Sequence, residues 1–363
     1  MGQQTMERIE EQLELDARYN RDDILQIMSK LREIDDLRRA KNAVILAHFY
    51  QIPPIQLIAD FRGDSLGLAL AARRITDKRL VVSSTVHFMA EMVKLLSPEK
   101  KVVIPDFEAG CSIAEGINGE ALRAIRRQFT SAAIVGYINT NAEAKAEMDS
   151  VCTSANASLV AKRISGDPVI MVPDYFFSRN ILTPLAKSDS GRAYLAYKRT
   201  ESGTLLLEDV IRGTSHRVQT GNVSLPIRET GTCIVHERFT PEDIARYRRQ
   251  HHIDQVLAHP EVNPLVAAQA DLVGGTQKMI DYVRSTSARR FLVITECDLM
   301  APLKEAYPDR EFFTPCYLCP YMKKNSIDKL LRSLREEVYE ITLDDKTSAG
   351  ARRSLEKMFE LST

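Results

Sequence analysis

Three stretches of the chain repeat one pattern of strand ends, hydroxyl residues and cysteines. Each stretch begins with an apolar run that stops at an anchor residue, and the anchors are His48, Tyr137 and His259. A hydroxyl residue lies 17 positions after each anchor, a second strand end lies 37 positions after it, and a cysteine comes later. In chain order these are Ser65, Ser154 and Thr276; Thr85, Asp174 and Glu296; and Cys111, Cys233 and Cys319. Such a repeat predicts three copies of one structural unit.

The apolar runs have the composition of buried parallel strands, which are covered on both faces. Stretches rich in Ala, Arg and Lys separate them, and this alternation is typical of an α/β fold. The runs lie at 42–48, 80–82, 102–104, 133–135, 169–172, 256–258 and 292–294. Ligands bind at the carboxyl ends of parallel strands. We therefore expect three βα units around a pseudo-threefold axis, with their strand ends facing one central cavity.

The repeat also predicts how the chain divides. The interval from anchor to cysteine is 63, 96 and 60 residues, so the middle copy is longer by 33 to 36. We interpret an irregular stretch at about 185–228 as an insertion of that size. The predicted divisions are a charged helical cover over 1–40, a first domain over 41–125, a second over 126–240, and a third with C-terminal helices over 241–363.

Charge and hydropathy exclude several classes of protein. Lys and Arg number 49 and so do Asp and Glu, which leaves no basic excess for binding nucleic acid. No apolar run approaches the roughly 18–20 residues that cross a bilayer. The charged N-terminal sequence is unlike a signal peptide. We therefore expect a cytoplasmic protein, in which the six cysteines serve as ligands or nucleophiles instead of a disulfide scaffold.

Cys111, Cys233 and Cys319 are the cysteines that occupy the repeated position. Three converging thiolates suit a [4Fe–4S] cluster that keeps one iron without a protein ligand, whereas four would close it for electron transfer. An open iron can act as a Lewis acid on a substrate oxygen. The sequence therefore predicts an iron–sulfur site on these three residues.

The segment Cys316-Tyr317-Leu318-Cys319 offers alternatives, because a CxxC pair also occurs in zinc sites and in redox pairs. A zinc site of this kind needs a second pair at suitable spacing, and a thioredoxin-like pair belongs early in a βαβ unit. We favour Cys319 as the ligand and Cys316 as an accessory thiol. Cys152 and Cys297 fit small buried apolar residues.

Nine stretches, from about residue 42 to a C-terminal helix around 355–358, resemble motifs of the quinolinate synthase family. They are AHFYQIPPIQLIAD (47–60), GDSL (63–66), HFMAEMVKLLSPEKKV (87–102), AGCSIAEG (109–116), GYINTNAEAKAEMD (136–149), TSANA (153–157), CIVHERF (233–239), AHPE (258–261) and CPYMKKNS (319–326). In that family three homologous αβα domains with parallel sheets surround one [4Fe–4S] cluster, and the resemblance implies the same fold here.

The resemblance also implies a reaction. Quinolinate synthases condense iminoaspartate with dihydroxyacetone phosphate and release phosphate and two waters, which gives the pyridine precursor of NAD. This chain would then be a dehydrating condensing enzyme of the transferase type. L-aspartate oxidase, which makes iminoaspartate, is implied as the supplier of substrate.

Roles carry over residue by residue. Cys111, Cys233 and Cys319 match the cluster ligands of the family. Four residues of types suited to general acid–base chemistry match its pocket, namely Tyr50, His236, His259 and Glu261. Six further residues match substrate-binding positions, namely His48, Ser65, Tyr137, Asn139, Ser154 and Thr276. Ser65 and Thr276 also fit helix caps, and a helix N-terminus is itself an anion site.

The chain departs from the family pattern at a few positions. Gly275 stands where the family usually has serine, Thr85 replaces a glycine, and Ile294 and Asp298 replace a glycine pair. These departures motivate a second hypothesis, a divergent iron–sulfur lyase or condensing enzyme that acts on another small acid. A third hypothesis is a non-catalytic iron–sulfur or zinc sensor.

Overall fold

The computed structural model describes residues 3–189, 191–200, 203–220 and 231–363. The chain forms two compact units, Met1–Gly110 with Leu318–Thr342 and Cys111–Tyr317 with Leu343–Thr363. Within the described ranges, every helix is too short or too polar to cross a membrane.

Strands and helices alternate along most of the chain. The strands are β1 (Ala43–His48), β2 (Phe61–Gly63), β3 (Leu80–Ser84), β4 (Lys101–Val103), β5 (Ala133–Tyr137), β6 (Ser150–Cys152), β7 (Val169–Val172), β8 (Tyr194–Arg199), β9 (Leu205–Asp209), β10 (Ser215–Arg217), β11 (Gln255–Ala258), β12 (Leu272–Val273), β13 (Arg290–Ile294) and β14 (Glu311–Phe313). The α-helices are α1 (Gln3–Glu14), α2 (Arg21–Ala40), α3 (Pro53–Ile58), α4 (Ser65–Arg74), α5 (His87–Leu96), α6 (Gly119–Gln128), α7 (Ala142–Lys145), α8 (Ala157–Arg163), α9 (Tyr175–Ser188), α10 (Pro241–His251), α11 (Pro264–Ala267), α12 (Thr276–Ser285), α13 (Met300–Ala306), α14 (Ile327–Glu336) and α15 (Asp345–Ser362).

The strands form three sheets that share one strand order. The first unit holds the sheet β2-β1-β3-β4, and the second unit holds the sheets β6-β5-β7-β8 and β12-β11-β13-β14. Every neighbouring pair within these four-strand sets is parallel. The predicted α/β class and its threefold repetition are therefore confirmed, while the arrangement around a pseudo-threefold axis stays a prediction.

One polar contact recurs in all three sheets. In each copy, the aspartate immediately before the second strand accepts a backbone N–H from the first strand, at 2.7–2.8 Å. The pairs are Asp60 with Ile45, Asp149 with Ile134, and Asp271 with Val256. Each aspartate lies 15 positions after its partner. This contact fixes the register of two parallel strands that a helix separates along the chain.

Two helices within residues 3–40, α1 and α2, cover the first sheet. Apolar residues of α1 and α2, among them Leu13, Met28 and Leu31, are fully buried against residues of β1, β3 and α14. Asn20 begins α2 with a capping box, which satisfies its first backbone donors. The charged residues therefore lie on the outer face of an apolar layer, as expected for amphipathic helices.

The predicted insertion at about 185–228 is ordered and regular where the structure describes it. Strand β8 continues the second sheet in parallel with β7, and β9 and β10 then add an antiparallel extension. The expectation of an irregular stretch is therefore wrong for these residues, because apolar side chains of β8 and β9 are buried in the sheet. Residues 190, 201–202 and 221–230 lie outside the described residues, and the predicted domain boundaries stay predictions.

Candidate active site

The three repeated cysteines lie in loops of the same local geometry. The carbonyl of each cysteine accepts the backbone N–H four residues later, at 2.9–3.1 Å. A 3₁₀ turn follows in each copy, and a helix then begins eight residues after the cysteine. The helices are α6 after Cys111, α10 after Cys233 and α14 after Cys319, and their N-cap residues are Asn118, Thr240 and Ser326. The three cysteines at the repeated sequence position therefore share the same local backbone conformation.

The other three cysteines are in different states. Cys297 and Cys316 form a disulfide. The interpretation of Cys297 as a simple buried apolar residue is therefore wrong, and Cys316 is neither a free accessory thiol nor the redox partner of Cys319. Cys152 is fully buried, as predicted, and burial raises the pKa of its thiol. Cys111, Cys233 and Cys319 are half-buried and are not in a disulfide, so each keeps the thiol that a metal ligand requires.

Ser112 connects the Cys111 loop to the Cys233 loop within the second unit. Its hydroxyl donates to the carbonyl oxygen of Thr232 at 3.3 Å and accepts the N–H of Ile234 at 3.2 Å. The Thr232 carbonyl and the Ile234 N–H flank Cys233 along the chain, and Ser112 directly follows Cys111. The two thiol-bearing loops are therefore in direct contact.

Glu261 is the centre of a buried hydrogen-bond cluster in the second unit. Its Oε1 accepts from the Tyr137 hydroxyl at 2.7 Å and from the Asn139 amide at 3.3 Å. Its Oε2 lies 2.8 Å from Nδ1 of His236, which is also 3.1 Å from the Cys233 sulfur. The structure therefore brings five of the predicted site residues together.

Thr295 completes the cluster, a role that was not predicted from the sequence. Its hydroxyl oxygen lies 2.9 Å from Nε2 of His236, and both side chains are buried. Because a carboxylate only accepts hydrogen bonds, the contact with Glu261 assigns the proton of a neutral His236 to Nδ1. Thr295 then donates to Nε2. Its position next to Glu296, a repeated strand end, was the one signal that could have identified it.

His259 follows β11 and stacks on His236, with ring centroids 4.5 Å apart. Burial, opposed by the charge of Glu261, lowers the pKa of His259 to about 3, so its imidazole is neutral near pH 7. Burial also works against ionisation of Glu261. The adjacent histidines and the hydrogen bonds from His236 and Tyr137 outweigh it and lower the pKa of the carboxyl. Near pH 7, Glu261 is therefore a carboxylate beside the neutral imidazole of His259.

Asp174, at the end of β7, is a second buried carboxyl in this region. Its Oδ1 accepts the N–H of Phe177 at 2.8 Å and so caps α9. Burial, together with the charge of Glu261, raises the pKa of Asp174 well above its usual value. Of these two buried carboxyls, Asp174 therefore holds its proton more strongly than Glu261 does.

Ser154 and Thr276 lie close together in the second unit. Thr276 is the first residue of α12, and Gly275 is its N-cap. A Cβ atom on Gly275 would stand only 2.2 Å from the Ser154 hydroxyl oxygen. The departure from the serine usual in the family thus coincides with an approach of Ser154 to the start of α12. Hydroxyls at a helix N-terminus suit an anionic group.

The remaining predicted residues lie in the first unit. His48 ends β1, and its Nδ1 accepts the N–H of Tyr50 at 3.1 Å. Lys323, which follows Cys319 by four positions, donates to the carbonyl oxygen of Tyr50. Ser65 is the first residue of α4, whose N-cap is Asp64. The Cys319 loop is therefore attached to the segment that carries His48 and Tyr50.

Cys233, His236 and Glu261 also form a group that could hold a single metal ion. One sulfur, one nitrogen and one oxygen donor lie within 4.8 Å of one another. Such a donor set suits zinc as well as iron. The two uses compete for Cys233, because the same thiol belongs to the repeated cysteine set.

Fold and site together define a three-sheet α/β protein with repeated cysteine loops and a buried acid–base cluster next to one of them. The profile of the family described as NadA, quinolinate synthetase A protein, matches residues 32–360. The chain is 40% identical to a quinolinate synthase of Xylella fastidiosa over 91% of this chain and 87% of that protein.

Other relatives agree. The quinolinate synthase of Caldicellulosiruptor saccharolyticus is 36% identical over 91% of this chain and 98% of its own length. Quinolinate synthase 2 of Mesorhizobium japonicum is 39% identical over 89% of this chain and 88% of its own. The chain belongs to the quinolinate synthase family, and the resemblance stated from its motifs is confirmed.

Proposed function

We propose that this protein is a quinolinate synthase, which condenses iminoaspartate with dihydroxyacetone phosphate and releases phosphate and two waters. The observation that carries the proposal is the cluster of Tyr137, His236 and Glu261 beside Cys233. A carboxylate in contact with a phenol and an imidazole beside a thiol is the kind of group that proton transfer in such a reaction needs.

Cys111, Cys233 and Cys319 are the residues that would hold a [4Fe–4S] cluster. Their shared loop geometry and their reduced state support this assignment, and the disulfide removes Cys316 as a competing ligand. When bound, such a cluster with one iron free of protein ligands supplies a Lewis acid for the loss of a hydroxyl group.

Proton transfer would fall to the cluster around Glu261. The Glu261 carboxylate accepts from Tyr137 and His236, and it holds both side chains in fixed orientation. His259 is neutral near pH 7, and because its Nδ1 accepts the backbone N–H of Glu261 at 3.4 Å, its Nε2 carries the proton and can donate a hydrogen bond to a substrate oxygen. Tyr50, in the first unit, would provide a further acid. These residues can therefore serve the tautomerisation and dehydration steps.

Substrate oxygens would be bound by hydroxyl, amide and imidazole groups. The start of α12 places Thr276 and the adjacent Ser154 where backbone N–H groups favour an anion. Ser65 occupies the same position on α4. Asn139 and His48 would orient the remaining polar groups of the substrates.

The decisive experiment is an assay of anaerobically reconstituted protein with iminoaspartate and dihydroxyacetone phosphate, with the product identified by mass. We expect quinolinate and free phosphate. A protein that carries about four irons and four sulfides per chain and yet forms neither would contradict the proposal. A protein that binds stoichiometric zinc and no sulfide would favour the sensor hypothesis.

One structural observation favours a second candidate, a family member with another small acidic substrate. The hydroxyl usual at position 275 is absent, and Ser154 approaches the vacated place. A changed contact at this position would alter the subsite for one anionic group. Failure to complement a quinolinate auxotroph, with turnover of another hydroxy acid, would support this candidate. Supply by L-aspartate oxidase remains an expectation based on the resemblance, and a cytoplasmic location remains an expectation from charge and hydropathy.

A further inference from the structure

Helix α9 contacts the acid–base cluster through Phe177. The Phe177 ring stacks on the Tyr137 ring with a centroid distance of 3.9 Å and an interplanar angle of 19°. Phe177 is fully buried. The stack restricts the orientation of the phenol whose hydroxyl donates to Glu261.

Asn180, one turn further along α9, holds the segment that carries Glu261. Its side-chain amide donates to the carbonyl oxygen of Pro260 at 2.9 Å and to that of Val262 at 2.8 Å. These two carbonyls flank Glu261 on both sides. A single side chain therefore restrains the turn from which the carboxylate extends.

Another side of the same helix contacts the antiparallel extension of the second sheet. The Tyr175 hydroxyl donates to Oε1 of Glu208 at 2.8 Å, and Arg179 forms an ion pair with the same carboxylate. Tyr175 and Arg179 are four positions apart and share one face of the helix. Glu208 belongs to β9, so α9 lies between the β9–β10 extension and the Tyr137–Glu261 pair.

We propose that α9 is a positioning element for the active site, in which Asn180 fixes the Glu261 turn, Phe177 fixes Tyr137, and Glu208 of the extension fixes α9 itself. The proposal rests on the proposed function for its effect on catalysis. It assigns a role to the extension, which is absent from the equivalent place in the other two sheets as far as the described residues go. Asn180, Phe177 and Glu208 act through other residues and are positioning residues.

Asn180→Ala in the cluster-loaded full chain tests the central contact. Ser188→Ala is the matched control, because Ser188 lies on the same helix, is exposed and donates only to Leu185 within it. We expect at least about tenfold lower kcat for Asn180→Ala, since small displacements of a catalytic group cost large factors in rate. KM, cluster content and melting temperature should stay close to those of the control.

Amide hydrogen exchange gives a readout that does not depend on the reaction. The N–H groups of Glu261 and Val262 should exchange faster in Asn180→Ala and unchanged in Ser188→Ala. Glu208→Gln should produce a smaller increase at the same two amides. Unchanged exchange in Asn180→Ala would overturn the proposal, and unchanged exchange in Glu208→Gln alone would overturn the role of the extension.

The two kinds of failure are distinguishable. A wild-type protein that makes no quinolinate contradicts the proposed function, whereas the exchange experiment still decides whether α9 restrains the Glu261 turn. If Asn180→Ala lowers the melting temperature and loses activity only because less of the protein is folded at the assay temperature, the contact is merely structural. The positioning role is then wrong.

Discussion

At the scale of single residues, the site depends on how many partners Glu261 has. Tyr137, Asn139 and His236 all direct a donor at its two oxygens, so the carboxylate remains ionised despite burial. Two of these donors are themselves oriented by another side chain, His236 by Thr295 and Tyr137 by Phe177. The substitutions with the clearest expected effects are those that remove one donor and leave the packing intact.

Tyr137→Phe removes only the hydroxyl that donates to Glu261. The ring stack with Phe177 should survive, so we expect a folded protein whose kcat is at least about tenfold lower. Steady-state kinetics with a thermal melt measures both properties. Tyr282→Phe is the control, because its hydroxyl donates to Gln255 instead. Equal activity of the two variants would contradict a role for the phenol.

Gly275→Ala introduces a Cβ atom into the place that the Ser154 hydroxyl occupies. The hydroxyl must rotate away, and we expect a higher KM for one of the two anionic substrates with little change in stability. Gly191→Ala is a suitable control, since a Cβ there meets nothing closer than 3.5 Å. An unchanged KM for both substrates would show that Ser154 does not contact them.

His259 predicts a dependence of stability on pH. Burial lowers its pKa from 6.5 to about 3, so between these two pH values the imidazole is protonated in the unfolded chain and neutral in the folded protein. Its contribution to stability is therefore complete above pH 6.5 and is lost as pH falls towards 3. Melting temperatures of the cluster-free protein across this range should fall less steeply for His259→Gln. Parallel curves for the two proteins would contradict the prediction.

At the scale of elements, the cysteine loops are the clearest repeated device. Each places a thiol before a 3₁₀ turn and a capped helix. The cysteine position was predictable from the sequence because the repeat is expressed in residue types. The backbone geometry was not, since the turn residues differ among the three copies.

Each of the single substitutions Cys111→Ala, Cys233→Ala and Cys319→Ala should abolish cluster binding, because each removes one of the three ligands. Iron and sulfide analysis after anaerobic reconstitution measures the loss. Cys152→Ala, which changes a fully buried thiol outside the loops, should retain the cluster. A full cluster in Cys319→Ala would show that this thiol is not a ligand.

The strands show where sequence analysis succeeds and where it does not. The long interior strands, such as β1 and β13, are continuous apolar runs and were predicted. The short edge strands β2 and β12 were missed, because two or three partly exposed residues carry no detectable period. The contacts of Thr295, Phe177 and Asn180 were missed for another reason, since each joins segments far apart in the chain.

At the scale of the whole molecule, the chain leaves the first compact unit after Gly110 and returns to it at Leu318. The Cys297–Cys316 disulfide lies just before that return and joins residues 19 positions apart. The sequence argued against a disulfide scaffold, and the structure contains one such bond among the described residues. A single disulfide that closes a loop of this length stabilises a protein mainly by restricting the unfolded chain.

Cys297→Ser should lower the free energy of unfolding by about 3 kcal/mol on the chain-entropy estimate for a loop of this length. Chemical denaturation with and without a strong reductant measures the difference. The reductant should destabilise the wild-type protein and leave the variant unchanged. A variant as stable as the oxidised wild-type protein would show that the bond contributes nothing.

The β9–β10 extension has a consequence for solubility. Adding strands to a sheet moves its open edge outward, and an open edge invites pairing with other chains. Here the outermost strand is β10, which is only three residues long, Ser-His-Arg, and fully exposed. Short length and polar side chains are the features that discourage edge-to-edge aggregation. The extension thus adds two strands to the second sheet, and its outer edge has little tendency to pair with strands of neighbouring molecules.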